Sequence, residues 1–352
     1  MFEIDFDRLR PIGLTPAIVQ ALLQMQFAEG CAVRVTQVHR ETALVHDGLD
    51  EIGVRIAPAL LQRPPASADT LAVGDWGVVS TDAHGDAWLS LCIPAQTRLV
   101  RRSPDGARQA LVHNVDTAFL LMGLDADYNP RRIERYLALV QPAGIWPVIV
   151  LTKLDCVDDG AARADALRAR IPADIALIAV DATSATTAEL LAPYLDAGRT
   201  VVLLGSSGAG KSTLTNTLAG TTLQATGAVR ESDARGRHTT TSRTLRVLSG
   251  RACVIDTPGL RGLRPDIDAE ELAVSFSDID LLGQRCRFRD CTHRAEPGCA
   301  VRAGVDADRL ANFHKLQREI KRDRMDPLAR QQWQQQMKVR ARALRARLRD
   351  KR

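Results

Sequence analysis

The stretch with the clearest chemistry runs from Thr200 to Ala219. There the apolar run TVVLL leads into Gly205-Ser206-Ser207-Gly208-Ala209-Gly210-Lys211-Ser212-Thr213, followed by a helical pattern with Leu214 and Leu218 one turn apart. The spacing fits G-x-x-x-x-G-K-[ST], whose glycines let backbone N–H groups turn inward around a polyphosphate. Lys211 is placed to reach the outer phosphates and to stabilise charge that develops during phosphoryl transfer, and the Ser212 hydroxyl to hold Mg²⁺. A helix starting near Lys211 points its positive end at the same anion. A strand before the loop and a helix after it are the context that this motif requires.

In a parallel sheet, ligands gather at the carboxyl ends of the strands, so polar residues directly after apolar runs carry the rest of such a site. The run WPVIVL ends in Thr152-Lys153-Leu154-Asp155. This pattern resembles the guanine-reading element of GTPases, with Thr152 where Asn is usual. Asp155 can accept hydrogen bonds from N1–H and the exocyclic amine of guanine, a pair that adenine does not offer. Lys153 can lay its aliphatic stem along the base. Thr183-Ser184-Ala185, after IALIAVD, resembles the weaker fifth GTPase element, whose backbone supports guanine O6. After Cys253-Val254-Ile255 comes Asp256-Thr257-Pro258-Gly259. Asp256 is expected to bind Mg²⁺ through its water shell, and the Gly259 N–H to sense the γ-phosphate. Leu260 follows where Ras-like enzymes carry a water-orienting Gln, and an apolar side chain cannot position water. Between the two lies GRHTTTSR, Gly236 to Arg243, a polar segment suited to a switch. Thr240, or Thr239, is the candidate second hydroxyl for Mg²⁺, and His238 is the candidate substitute for the missing Gln.

Of seven cysteines, four are scattered, at 31, 92, 156 and 253. The other three, with one histidine, form C-x4-C-x-H-x5-C at Cys286, Cys291, His293 and Cys299. Three thiolates and an imidazole fit a closed tetrahedral Zn²⁺ site of structural type. Such a site supplies folding free energy where large apolar residues are few. Arg285, Arg287, Arg289 and Arg294 surround the ligands and suit phosphate contacts. The cysteine pattern is not an extracellular disulfide framework.

The elements that must position these groups follow from the periodicity. Residues 1–29 read as a helical extension, with Ile18, Leu22 and Met25 on one face and Pro16 near its start. Over 30–105, short β-like runs broken by Gly, Asp, Pro and Ser argue for a small barrel, OB-like, with Arg34, His39, Arg40 and Arg55 as RNA-backbone contacts. Arg98 to Arg108, RLVRRSPDGAR, reads as a charged connection out of that barrel. From 106 to 270, apolar strands alternate with helices, which implies a doubly wound, mainly parallel sheet. A zinc-binding helical domain is expected over 271–335 and a basic tail over 336–352. The class is therefore multidomain α/β. At 352 residues and 45% hydrophobic, the chain can fill several cores, and 4% aromatic content makes them aliphatic. The net charge of +5 is concentrated in the tail and points to a polyanionic partner. With neither a charged-then-apolar leader nor an apolar run near ~18 residues, the chain is expected to be cytoplasmic, with no membrane partner, and monomeric.

The order of the motifs is unusual. The base-reading TKLD and TSA precede the phosphate loop, HTT and DTPG, so the chain is a circular permutation of the common GTPase order. This order, with the barrel-like unit and the Cys/His spacing, resembles the small-ribosomal-subunit-dependent GTPases of bacteria, the RsgA or YjeQ type, over roughly residues 30–325. The resemblance implies an oligonucleotide-binding-fold domain, a permuted GTPase domain and a zinc domain. It implies a late assembly factor that binds GTP or GDP, Mg²⁺ and one Zn²⁺, contacts the small subunit and its rRNA, and hydrolyses GTP faster on that particle. The family pattern carries over to Asp155, Lys211, Ser212, Asp256 and the four zinc ligands. Two other classes remain open at this point, an RNA-binding scaffold locked by nucleotide and an ATP-using phosphate-loop enzyme; Asp155 argues against the second.

Overall fold

The computed structural model describes residues 4–25, 29–62, 70–103, 107–220, 243–248, 250–258 and 264–323. Its first elements are two short helices, α1 (Phe6–Leu9), capped by Asp5, and α2 (Pro16–Gln24), capped by Thr15, whose Oγ1 accepts from the Ile18 amide at 3.3 Å. Pro16 occupies the first helical turn, where its missing N–H costs nothing. Ile18 and Leu22 face inward as expected. With Leu9, Ile12 and Leu14 they join the same apolar core as Leu120, Leu204 and Ile255.

Five strands, β1 (Cys31–Val38), β2 (Thr42–His46), β3 (Glu51–Ile56), β4 (Trp76–Thr81) and β5 (Ala87–Cys92), close into a barrel in the order β1-β2-β3-β5-β4. Only the β3–β5 pair is parallel. Alternation explains the filling: Val33 and Val35 of β1 point into the barrel with Val45, Val54, Ile56 and Leu89, and Leu60 of α3 (Pro58–Leu61) joins them. Arg34 lies between those two valines and so faces the opposite way. Its guanidinium donates to Ile12 O at 2.5 Å and Asn114 O at 2.8 Å and lies 5.7 Å from the Trp76 ring centroid. Arg34 is 1% exposed and is not a surface RNA contact, which corrects that expectation. His39, Arg40 and Arg55 are exposed.

The charged run after the barrel is not a plain connection. It forms β6 (Arg98–Arg102) and β7 (Arg108–His113), an antiparallel pair whose buried Leu99, Leu111 and Val112 alternate with or flank polar residues. Next come β8 (Thr117–Gly123), α4 (Pro130–Val140), β9 (Trp146–Thr152), α5 (Gly160–Arg168), β10 (Ala176–Ala179), α6 (Thr186–Leu191), β11 (Thr200–Gly205) and α7 (Lys211–Ala219). β12 (Thr244–Val247), β13 (Cys253–Asp256) and β14 (Arg264–Pro265) follow. β14 completes a three-stranded sheet beside β6, where Arg102 and Arg108 pair with Asp266. The central sheet has the order β10-β9-β8-β11-β13-β12, parallel except for β12. β8 and β11 are buried along their whole length, as unbroken apolar strands require in a sheet covered on both faces. The carboxyl ends of β9, β8, β11 and β13 therefore lie side by side on one edge.

The chain divides between Asp266 and Ile267. The second unit is helical among its described residues. α8 (Ala269–Ser275) carries a capping box between Asp268 and Glu271, and α9 (Ser277–Gly283), α10 (Ala300–Gly304) and α11 (Ala307–Asp323) follow. Phe276 is its buried aromatic centre, 5.3 Å from the Phe313 ring and 4.6 Å from the Arg309 guanidinium, which also pairs with Asp278 at 2.7 Å. No helix among the described residues is long and apolar enough to cross a membrane.

Arg34→Ala would strip the buried Ile12 carbonyl and the half-buried Asn114 carbonyl of this donor and open a void behind Trp76. The expected cost is about 2–4 kcal/mol, read as a lower urea midpoint of unfolding. An unchanged midpoint would mean that the guanidinium carries no such weight.

Candidate functional site

β11 ends at Gly205, where close approach to β8 decides the residue type: a Cβ would lie 2.9 Å from Leu121 O. At Gly210 the backbone is left-handed, with φ +84°, and a Cβ would crowd Thr152 at 3.3 Å. Together they let the loop fold back tightly before α7 begins at Lys211. Ser212 and Thr213 sit half-buried in the first turn of α7, Ser207 is exposed, and Ala209 is buried. The Lys211 ammonium is buried and donates to Gly205 O at 3.0 Å and Ser206 O at 2.7 Å. Burial pushes its pKa down, while the nearby carboxylates of Asp256 and Asp127 oppose that shift. The loop thus encloses a cation with backbone dipoles around it, an arrangement suited to anionic oxygens.

Three neighbouring strand ends are tied to this loop. Thr152, at the end of β9, is fully buried and donates through Oγ1 to Ala209 O at 3.0 Å. Lys153 follows in a left-handed conformation, φ 61°, and donates through Nζ to Asp125 Oδ2 at 2.7 Å. Partial burial raises the Asp125 carboxyl, but the Lys153 bond and the Asp127 amide outweigh it and hold its pKa below the usual range. Leu154 donates its amide to Val180 O at 3.2 Å, and Asp155 is exposed, with one carboxylate oxygen 3.2 Å from Cys156 Sγ. Ser184 and Ala185 precede α6, and that loop is joined to α7 by Thr217 Oγ1 donating to Ala182 O at 2.6 Å. On the other side, β13 ends in the buried Asp256, and Thr257 Oγ1 donates to Leu203 O of β11 at 2.6 Å. The structure therefore brings Thr152 to Asp155, Ser184, Ala185, the phosphate loop and Asp256 to one edge of the sheet. His238, Thr239, Thr240, Gly259 and Leu260 lie outside the described residues.

Sequence reasoning missed the loop after β8. Asp127 lies against Ser206, and Arg132 reaches both. The signal was available: LDAD follows a buried strand at its carboxyl end, where the rule that found Asp155 also applies.

In the second unit, Cys286, Cys291, His293 and Cys299 each present a ligand atom, and these atoms all lie within 4.8 Å of one another. His293 takes a left-handed backbone conformation, φ 59°, that turns its ring toward the sulfurs. Desolvation and the neighbouring Cys299 and Cys286 sulfurs push the Cys291 thiol up to about 11. A cluster of this kind can hold a metal ion, whose charge offsets the cost of bringing thiolates together.

A family model described as RsgA GTPase matches residues 92–265, and one described as ABC transporter matches residues 191–343, a span that includes the phosphate loop. A curated relative from Xylella fastidiosa (strain M12), named small ribosomal subunit biogenesis GTPase RsgA, is 46% identical over 297 residues, covering 82% of this chain and 87% of the relative. The chain belongs to the RsgA GTPase family. An RsgA relative of the same name from Xanthomonas axonopodis pv. citri (strain 306) is 45% identical over 336 residues, covering 90% of this chain and 89% of its own. Among solved structures, YjeQ from Thermotoga maritima superimposes with a TM-score of 0.60 at 23% identity, over 83% of this chain and 99% of that one. YloQ, described as a circularly permuted GTPase, gives 0.56 at 23% identity over 85% and 97%. The permuted fold expected of an RsgA GTPase is thus the fold observed.

Proposed function

We propose that this chain hydrolyses GTP and acts in maturation of the small ribosomal subunit, with the polar edge of the central sheet as its nucleotide site. The observation that carries the reading is the Thr152–Ala209 hydrogen bond, which fixes the base-reading segment directly to the phosphate loop. Asp155, exposed three residues on, reads the guanine edge, Lys153 covers the base, and Leu154, Ser184 and Ala185 close the pocket around it. The loop from Gly205 to Thr213 cradles the phosphates, with Lys211 on the outer oxygens. The Ser212 hydroxyl and the buried Asp256 carboxylate are hard oxygen donors that fit Mg²⁺. Bound there with GTP, Mg²⁺ would neutralise charge on the β- and γ-oxygens. Thr240 supplies the second hydroxyl, the Gly259 amide senses the γ-phosphate, and His238 orients the attacking water in place of Leu260.

The metal of the Cys/His cluster is zinc in this reading. Cys286 Sγ to Cys299 Sγ is 3.8 Å, and the His293 Nδ1 distances to those sulfurs are 3.6 and 3.5 Å. Bonds of about 2.3 Å to sulfur and 2.0 Å to nitrogen give tetrahedral edges of about 3.8 and 3.5 Å. The site is structural, since four protein ligands leave no open position. The exposed Arg285, Arg287, Arg289 and Arg294 nearby suit rRNA phosphates, as do His39, Arg40 and Arg55 on the barrel. The protein works as a cytoplasmic monomer, with a GTPase domain over 106–270, a zinc domain over 271–335 and a basic tail that adds charge for the same polyanion.

Relatives named for small-subunit biogenesis support the assay that tests this reading: steady-state GTP and ATP turnover with and without purified small subunits, at fixed salt. GTP-selective turnover that rises with small but not large subunits is expected. Nucleotide binding without stimulation would favour an RNA-bound scaffold, and a preference for ATP would refute the role of Asp155. Asp155→Ala should weaken GTP binding about 100-fold while leaving the weak binding of ATP unchanged. His238→Ala should remove most of the stimulated turnover and spare GDP affinity; unchanged stimulation would discard the assignment. Cys291→Ser should reduce bound zinc from one equivalent, measured by elemental analysis, and lower the melting temperature; undiminished metal content would show that the cluster is not the site.

A further inference from the structure

A positive charge in the first turn of a helix opposes the helix dipole, typically by about 0.3–1 kcal/mol. Arg132 stands there in α4, three residues after the N-cap Asn129, whose Oδ1 accepts from the Arg132 amide at 3.3 Å. Its side chain is held by Asp127, from the loop after β8, and by Ser206 of the phosphate loop. Arg132 Nη1 lies 2.5 Å from Asp127 Oδ1 and 2.7 Å from Ser206 Oγ, and Ser206 Oγ lies 2.7 Å from each Asp127 carboxylate oxygen. The three side chains form a closed triangle over the residue that follows Gly205. Arg132 and Asp127 are 25% and 17% exposed, so the pair is shielded from solvent more than a surface ion pair.

The arrangement poses an electrostatic problem. Lys211 Nζ donates to Ser206 O at 2.7 Å and the same residue's Oγ meets Asp127, whose charge opposes the burial that lowers the Lys211 pKa, so an acid stands near the cation that is to meet an outer phosphate. A carboxylate in that position repels a di- or triphosphate unless its charge is neutralised locally. Arg132 supplies that neutralisation, and by donating to Ser206 Oγ it also fixes the second residue of the loop. We infer that Arg132 is a positioning residue for the nucleotide phosphates, acting through Asp127 and Ser206 and not through the base. The inference rests on the phosphate-loop reading given above and adds to it a residue from a different part of the chain.

The test is equilibrium binding of a fluorescent GDP analogue, with GTP and guanosine measured by competition, to the full-length chain. Arg132→Ala should weaken GDP and GTP about tenfold and leave guanosine unchanged, because the loss is confined to the phosphates. Arg132→Lys should recover most of the affinity, as it restores the charge with fewer donors. The double variant Asp127→Asn with Arg132→Ala should bind GDP more tightly than Arg132→Ala alone, since the uncompensated acid is gone. This recovery is not expected if Arg132 merely holds the fold together. Equal GDP affinity of Arg132→Ala and wild type would overturn the inference, as would a parallel loss of guanosine binding or a double variant no tighter than the single one. Failure of the wild type itself to bind GDP would instead overturn the phosphate-loop reading, and this assignment with it.

Discussion

Parallel pairing of β11 with β8 on one side and β13 on the other is the constraint on which the rest of the molecule depends. In register, Leu203 opposes both Phe119 and Asp256, so β13 ends two residues short of β11, and β11 two residues short of β8. Whatever follows these strands is delivered to the same place. The apolar content of β8 and β11 fixes the register, since every residue is buried and a slip would carry polar ends into the core. Side-chain bonds then lock the edge: Thr257 to Leu203, Thr152 to Ala209 and Thr217 to Ala182 each run from one segment's hydroxyl to a neighbour's carbonyl. Three threonines thus do locally what the sheet ladder does within the core.

This dependence on spatial order explains why permuting the chain leaves the site intact. The sheet order, with β9 and β8 on one side of the loop strand and β13 on the other, is indifferent to which segment comes first. What changes is the connectivity at the edges. The end of β13 at Asp256 is followed eight residues later by the start of β14 at Arg264, which pairs with β6 of the hairpin beyond the barrel. Arg102 and Arg108 hold that junction through Asp266.

Much of this was legible in the sequence, for identifiable reasons. The strands of the central sheet read clearly because burial on both faces makes them continuous apolar runs, and the phosphate loop because glycine spacing reflects a backbone requirement. The Cys/His cluster was readable because its ligands are close in sequence. The failures share a different cause. For Arg34 the residue type suggests a surface cation, whereas pleat phase decides its place: Val33 and Val35 point into the barrel and force Arg34 onto the other face. The β6–β7 pair resembles a connection in sequence because its arginines mask the cross-strand pair Leu99 and Val112, and because its third strand comes from residues 264–265. Asp127 and Arg132 were missed because their partner, Ser206, is more than seventy residues away.

Placement of charge around Lys211 links these observations. A buried ammonium is costly unless oxygen atoms replace its water, and here two backbone carbonyls do so directly while Asp256 and Asp127 act from farther out. The carboxylates lie on opposite neighbours, Asp256 on the β13 side and Asp127 on the β8 side. Asp127 has Arg132 set against it from α4. The two acids are therefore held differently: Asp256 is buried at the end of β13, whereas Asp127 is paired with Arg132, and the Lys211 ammonium is enclosed by the loop carbonyls.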